Sequence, residues 1–303
     1  WTFLAATSNT GEQTRLAIAL LPLGALLGGI VLHGVGKMPR KPLDIGFVMR
    51  GALLMTALLT ASAVSYAEGR SVELSGGMDY SVGDYGQTQD TTVSYIPVSL
   101  KVRSNHWAYG ITVPYVRITG PDNTVVSDGI TTGDAAATGT RTDSGMGDIV
   151  MSAHFGFEPT KPTGTYFDIT GKVKIGTADE TKGLGTGTNS YTVLLDAYQP
   201  LDGLDVFGAL GYRINESSDL IQLNNVWLGS VGVAHQFSPH VSGGVSYDYR
   251  GAASAHSTSG QEITPYISWK LSQEWKVKGY AAFGLSKQSP DLASGMQVVY
   301  TFH

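Results

Sequence analysis

Charged side chains recur at every second position in several segments of this sequence. Lys172 and Lys174 are two residues apart, and Lys276 and Lys278 repeat the spacing. In a β-strand, residues i and i+2 point to the same face. The charged face predicted in this way contains Glu73, Asp79, Lys101, Arg103, Asp148, Asp168, Lys172, Lys174, Asp196, Asp205, Arg213, Asp248, Arg250, Lys270, Lys276 and Lys278. Such a face either guides a solute along a wet channel or pairs its own charges and fills the space, and the spacing leaves both open.

Apolar residues alternate with polar ones over most of the chain after residue 67. Strict alternation is the pattern of a β-strand with two different faces. Such segments are about 10–15 residues long, and strands that cross a bilayer at a tilt need about 9–11 residues. The twelve segments are 71–83, 90–104, 106–119, 147–158, 164–176, 189–199, 203–214, 224–237, 240–250, 261–272, 274–286 and 292–302.

Short and long connections alternate between these segments. Residues 104–105 and 238–239 are short turns, whereas 120–146 and 177–188 are long, glycine-rich loops. This organisation is typical of membrane barrels. We therefore predict an all-β fold, a transmembrane antiparallel up-and-down β-barrel of about twelve strands with short periplasmic turns and long extracellular loops. A soluble barrel would need more charge outside than 15% charged residues provide.

Aromatic residues cluster near the ends of the predicted strands. Tryptophan and tyrosine form such girdles at the two membrane interfaces of a barrel. The predicted girdle contains Trp107, Trp269 and Trp275 at the short-turn ends and Tyr115, Tyr191 and Tyr249 at the long-loop ends.

The composition excludes several classes of protein. The 303 residues include 39 glycines and no cysteine. Without cysteine there is no disulfide scaffold, zinc–thiolate site, iron–sulfur cluster or cysteine nucleophile. A formal net charge of -5 argues against a nucleic-acid partner.

One spacing resembles that of a nucleophile and its base. His240 and Ser242 would share the inward face, and some outer-membrane lipid hydrolases use a His-x-Ser pair. The pair lies at the predicted periplasmic end, whereas those hydrolases act on the outer leaflet, so we expect no enzyme activity. The other histidines, His106, His154, His235 and His256 among them, lack metal-ligand spacing, so we expect neither a metal nor a cofactor.

The first 67 residues have the pattern of targeting segments. A basic stretch that includes Arg40, Lys41 and Arg50 precedes apolar residues 51–64, and a small-x-small site ends at Ala67. This order predicts a signal peptide over residues 38–67. Residues 1–37 are either an upstream extension or an apolar anchor, because 16–35 is long enough to span a bilayer. The barrel would occupy residues 68–303, in the outer membrane of a Gram-negative bacterium.

The expected partners follow from this location. The last strand alternates Met296, Val298, Tyr300 and Phe302. This is the kind of C-terminal signal that barrel-assembly machinery recognises, although His303 follows the usual terminal phenylalanine. Outer-membrane lipid and lipopolysaccharide are the other expected partners. If the acidic loop 120–146 folds into the lumen, it would form the constriction.

Several blocks of sequence resemble those of one known family. They include Val113-Pro114-Tyr115, Ser144-Gly145-Met146-Gly147-Asp148 and the stretches 90–98, 172–176 and 182–187. The chain resembles, over about residues 70–300, a family of Gram-negative outer-membrane proteins named for the MetA pathway of phenol degradation. The resemblance implies a barrel that passes aromatic or other small organic compounds, and it supplies no catalytic residues.

The sequence therefore favours a passive-diffusion channel for small organic solutes. A plugged structural barrel without transport is the main alternative, and a lipid hydrolase that uses His240 and Ser242 is the third.

Overall fold

The computed structural model describes residues 70–127, 130–132, 139–161, 163–218, 221–255 and 257–302. The predicted signal peptide at 38–67, the upstream segment 1–37 and His256 lie outside the described residues. Among the described residues, no helix is both long and apolar enough to cross a membrane.

Fifteen strands are formed within the described ranges. They are β1 (Arg70–Gly83), β2 (Thr91–Ser104), β3 (Trp107–Pro121), β4 (Val125–Ser127), β5 (Ile130–Thr132), β6 (Thr140–Met146), β7 (Ile149–Phe157), β8 (Tyr166–Ile175), β9 (Ser190–Pro200), β10 (Asp205–Asn215), β11 (Val226–Ser238), β12 (Val241–Arg250), β13 (Gly260–Lys270), β14 (Trp275–Gly284) and β15 (Leu292–Phe302). A short 3-10 helix, Glu180–Lys182, lies between β8 and β9.

Twelve strands make the wall of the barrel when β6 and β7 are counted as one. Both pair with β3: Tyr115 lies opposite Met146 of β6, and Ile111 lies opposite Met151 of β7. Each of the twelve predicted segments is therefore a wall strand, and the predicted antiparallel barrel is confirmed.

The barrel closes because β1 is paired on both sides. It runs antiparallel to β2 and to β15, so that Val72 lies opposite both Val102 and Phe302. Closure pairs the backbone groups that an edge strand would expose, and no such group is tolerated unpaired in hydrocarbon.

The outward face of the wall is apolar, and its side chains are not covered by other parts of the protein that the structure describes. Val193, Leu210 and Trp227 are 60%, 57% and 56% exposed. Their neighbours along each strand point to the other side of the wall, which we call the inward face. So much exposed apolar surface is unfavourable in water but matches the apolar band of a membrane barrel.

The predicted loop 120–146 is more ordered than its sequence pattern indicates. β3 continues to Pro121, β6 begins at Thr140, and β4 and β5 form a separate hairpin between them. Expecting a loop throughout this range was therefore wrong. Threonine, glycine and aspartate dominate here, so backbone pairing proceeds without the apolar alternation that reveals the other strands.

Glycines on the inward face let large side chains lie flat against the wall. Tyr280 of β14 donates a hydrogen bond of 2.6 Å to Asp79 of β1. β15 lies between these strands, so the link passes over Gly295, where a Cβ atom would collide with both side chains.

We predict that Gly295→Ala lowers the free energy of unfolding by about 1–3 kcal/mol, because the added methyl group overpacks the Tyr280–Asp79 link. Urea unfolding of refolded protein in detergent, followed by heat-modifiable gel mobility, measures the change. Gly76→Ala is the matched control, since a Cβ atom at Gly76 has no neighbour within 4 Å. Equal losses in the two variants would contradict the explanation.

Candidate solute pathway

The charged residues predicted for the pathway lie opposite the bare apolar face. On β8, for example, Asp168 and Lys172 alternate with the exposed Ile169 and Val173. The structure brings these residues together in two different surroundings, one near the short turns and one beneath the long loops.

Four cations form a basic cluster near the short-turn end: Lys101 and Arg103 on β2, and Lys276 and Lys278 on β14. Glu73 of β1 lies among them, directly opposite Lys101 in the register. Its Oε1 accepts a hydrogen bond of 2.9 Å from Nε of Arg103. All four cations interact electrostatically with Glu73. The cluster therefore contains four positively charged side chains around the carboxylate of Glu73.

An acidic row occupies another part of the inward face near the short turns. Asp168 of β8 lies directly opposite Asp196 of β9, and Asp205 follows at the start of β10. Directly opposed like charges destabilise a sheet. Lys172, on the same face, attracts Asp196 and so offsets part of this repulsion.

An aromatic band accompanies the acidic row, and sequence reasoning did not identify it. It consists of Tyr166, Tyr198, Phe207 and Tyr266. The ring centroids of Tyr166 and Tyr198 are 6.1 Å apart, and those of Phe207 and Tyr266 are 6.4 Å apart. The available signal was an aromatic residue on the charged face, rather than on the apolar face, of each strand.

Lys174 lies in a sealed ion pair beneath the long loops. Its Nζ is 2.7 Å from Oδ2 of Asp148, and both side chains are only 5% exposed. It also donates to Oγ1 of Thr186 and to the carbonyl of Thr188. The neighbouring space is about 10 Å³, room for roughly one water molecule. Lys174 was predicted to line the path, but here it is a structural cation.

The other charged residues of this half are also engaged. Arg213 is buried, and its Nε donates to Oγ1 of Thr192. Asp248 accepts hydrogen bonds from Ser230 and Ser246, at 2.8 and 2.7 Å. Arg250 donates to the backbone carbonyl of Gln288 at 3.3 Å. The contacts of Arg213 and Asp248 join neighbouring strands, and that of Arg250 joins a strand to the β14–β15 loop.

The β4–β5 hairpin connects distant parts of the barrel at this end. Oγ of Ser127 donates to Asp148 at 2.9 Å, and the amide of Val126 donates to the carbonyl of Gly183. From the β14–β15 loop, Nε2 of Gln288 donates to the carbonyl of Thr131 at 2.7 Å. The hairpin is therefore fastened both next to β7 and at the β14–β15 loop.

Tyr85 joins the hairpin to the β1–β2 loop. Its hydroxyl donates to Oγ of Ser81 at 2.9 Å, and it also bonds to Thr131. Burial raises the pKa of Tyr85 to about 12, so the phenol stays protonated at neutral pH. The contact is therefore constant over the ordinary pH range.

Five of the six predicted girdle residues lie at the ends of wall strands. Trp107 and Trp269 are exposed at the short-turn end. Trp275 is partly covered by Tyr300, with ring centroids 4.8 Å apart. At the long-loop end, Tyr191 and Tyr249 are exposed, and the hydroxyl of Tyr191 donates to Glu216. Tyr115 is also exposed, but it lies in the middle of β3, where its hydroxyl donates to Ser144.

His240 and Ser242 do not form a nucleophile–base pair. His240 lies in the turn before β12 and is exposed, whereas Ser242 is on the strand. Among the described residues no hydrogen bond joins their side chains; the backbone amide of His240 instead contacts Oγ of Ser238. The geometry therefore does not support activation of the Ser242 hydroxyl by His240.

Taken with the bare apolar band, the closed twelve-strand wall defines an outer-membrane β-barrel. A family model described as "Putative MetA-pathway of phenol degradation" matches residues 65–302, and the chain belongs to this family. The resemblance seen in the sequence is thereby confirmed. A comparison with curated proteins found no match.

The chain is similar to several solved structures at low sequence identity. The COG4313 outer membrane channel from Pseudomonas putida F1 is 12% identical with a TM-score of 0.60, over 77% of this chain and 96% of that one. The β domain of the Bordetella autotransporter BrkA is 11% identical with a TM-score of 0.45, over 77% and 98%. The translocator domain of autotransporter NalP from Neisseria meningitidis is 10% identical with a TM-score of 0.41, over 84% and 95%.

We predict that Lys174→Met lowers the free energy of unfolding by about 3–5 kcal/mol, because it leaves the buried carboxylate of Asp148 without its cation. The hairpin held by Asp148 should also become more sensitive to proteinase K added outside the membrane. Urea unfolding and limited proteolysis measure the two effects.

Lys182→Met is the matched control for this variant. Its ion pair with Asp179 lies in the same region but is largely exposed, at 51% and 43%. Such surface pairs contribute little to stability. If the two variants behaved alike, the ion pair of Lys174 would not be what holds this end.

Proposed function

We propose that this protein is an outer-membrane channel through which small organic solutes, aromatic compounds included, diffuse passively. One observation carries the proposal: the closed wall has an apolar outward face and an inward face rich in charged groups. A dry interior would make these charges costly, whereas a wet lumen removes the cost.

Two further observations support small organic compounds as the solutes. The family description refers to phenol degradation. The inward face of this chain also carries the aromatic band, an unusual lining for a pore that passes only water and ions. Rings of this kind offer apolar contact to an organic molecule without closing the lumen to water.

A plugged barrel is the second candidate, and the packing of the long-loop end favours it. The hairpin is fastened at both ends, and Thr124, Leu184 and Thr186 are buried around it. Val126 of the hairpin also packs against a buried apolar cluster that includes Val116 and Ile118. We regard the hairpin as the constriction of the channel rather than a permanent plug, because the charged groups near the short turns would be costly in a dry interior.

A location in the outer membrane implies a route of export and a set of partners, which we also propose. Residues 38–67 would act as the signal peptide, and β15, which ends at Phe302, would engage the barrel-assembly machinery. The exposed aromatic ends would contact outer-membrane lipid, and the long loops would lie beside lipopolysaccharide. No enzymatic role is proposed, because His240 is displaced from Ser242.

We predict that replacing residues 125–132 with a short glycine–serine linker raises single-channel conductance several-fold. The replacement removes the β4–β5 hairpin, which we regard as the constriction at the long-loop end. Planar-bilayer recordings and liposome-swelling assays with the refolded protein measure the effect. If neither the wild type nor the variant conducted ions or passed solutes, the barrel would be plugged elsewhere and the channel proposal would fail.

We also predict that the lumen is wet at Ser99, whose hydroxyl lies 2.8 Å from that of Thr112. The chain has no cysteine, so Ser99→Cys is a unique label site. A charged methanethiosulfonate reagent should modify it and lower conductance. Val98→Cys, on the outward face, is the control and should stay unmodified in lipid; the reverse pattern would contradict the assigned faces.

A further inference from the structure

Positive and negative groups are segregated around the short-turn half of the lumen. The basic cluster lies on β2 and β14, which are separated only by β1 and β15. The acidic row lies on β8, β9 and β10, each at least three positions from β2 and β14 in the ring, although Asp168 on β8 still attracts Lys101 and Arg103. Each member of both sets lies within about four residues of a short-turn end, so the sets face each other at a similar depth.

The two sets differ in how far their charges are balanced within their own wall. In the acidic row, Lys172 attracts Asp196, and Asp205 accepts a hydrogen bond from Tyr198. In the basic cluster, Glu73 lies among four cations, and Asp168 of the acidic row also attracts Lys101 and Arg103. We therefore expect a positive electrostatic potential beside β14, the strand of this cluster that lies farther from β8, where an anion would be stabilised.

The aromatic band extends to the edge of the basic cluster. Phe207 and Tyr266 reach over Gly232 and Gly244 of the two intervening strands, where a Cβ atom would meet their rings. Tyr266 is two residues from Ser268, which lies directly opposite Lys278. Tyr266 and Lys278 are thus diagonal neighbours on one face, at a typical separation of about 7–8 Å.

We propose that this half of the lumen is a selectivity site for small aromatic carboxylates. The ring of the solute would pack against Phe207 and Tyr266, and its carboxylate would approach Lys276 and Lys278. The inference rests on the proposed channel function and names the class of solute that the channel prefers.

The chemistry of the site distinguishes this class from its relatives. A neutral phenol would gain the ring contact but not the charge-assisted hydrogen bonds, which are about twice as strong as neutral ones. An aliphatic carboxylate would gain the charge contact without the ring contact. An organic cation would be repelled by Lys276 and Lys278 at the position where the carboxylate is bound, and Glu73 would offset only part of this repulsion.

The test combines binding and permeation, both with the full refolded protein. Saturation-transfer NMR in detergent reports binding of benzoate, cyclohexanecarboxylate and benzyl alcohol. Proteoliposome flux assays report permeation of the same three probes, and reversal potentials in a potassium chloride gradient report charge selectivity. We expect benzoate to bind and permeate best and chloride to be preferred over potassium.

Matched variants separate the two halves of the site. Lys276→Gln/Lys278→Gln should weaken benzoate binding about tenfold, the effect of losing a charge-assisted hydrogen bond, and leave benzyl alcohol unchanged. Lys161→Gln, in an exposed turn at the same end, is the control.

Phe207→Leu should weaken binding of both aromatic probes about threefold. Phe157→Leu, on the outward face, is its control.

The outcomes separate this inference from the proposed function. If wild-type protein conducts but binds the three probes equally, prefers potassium, or keeps its benzoate affinity in the double lysine variant, the selectivity site is wrong and the channel stands. If benzoate binds as expected and nothing permeates, the site stands as a binding site and the channel fails.

Discussion

The pairing of β1 with β15 is the constraint on which the rest of this structure depends. In hydrocarbon, an unpaired backbone amide or carbonyl costs several kcal/mol, so a sheet must have no free edge. Closure separates an outside from an inside, and alternation along each wall strand then places successive side chains towards lipid or towards the lumen. The charged and aromatic groups of the pathway share one interior because the sheet is closed.

The wall strands were predictable from the sequence, whereas the packing of the β4–β5 hairpin at the long-loop end was not. A strand such as β8 reveals itself locally, because Ile169 and Val173 must face lipid while Asp168 and Lys172 must not. The hairpin carries no such signal, since Ser127 and Thr131 are buried and Val126 packs against protein rather than lipid. Lys174 and Asp148 lie at the same end of the paired strands β7 and β8, but their burial depends on Ser127 and Thr186 from the long loops, so spacing predicted the face of Lys174 but not its burial.

The abundance of glycine follows from the need for space inside the barrel. An inward tyrosine or phenylalanine would cross a narrow lumen if each neighbouring strand carried a side chain at the same depth. Gly232, Gly244 and Gly295 remove those side chains, so Phe207, Tyr266 and Tyr280 lie along the wall. A barrel that carries large inward side chains without filling its lumen therefore needs many glycines beside them.

The two halves of the barrel place different demands on their charges. At the long-loop end, buried groups such as Lys174 must be fully paired, because an isolated charge there would be costly. Near the short turns, four cations lie around Glu73, and so much positive charge is less costly where water reaches it than in a dry interior. Along the barrel axis, the charged groups are therefore buried and paired at the long-loop end and line a wet surface near the short turns. This gradient is expected of a passage that is narrowed by its loops at one end and selects its solutes at the other.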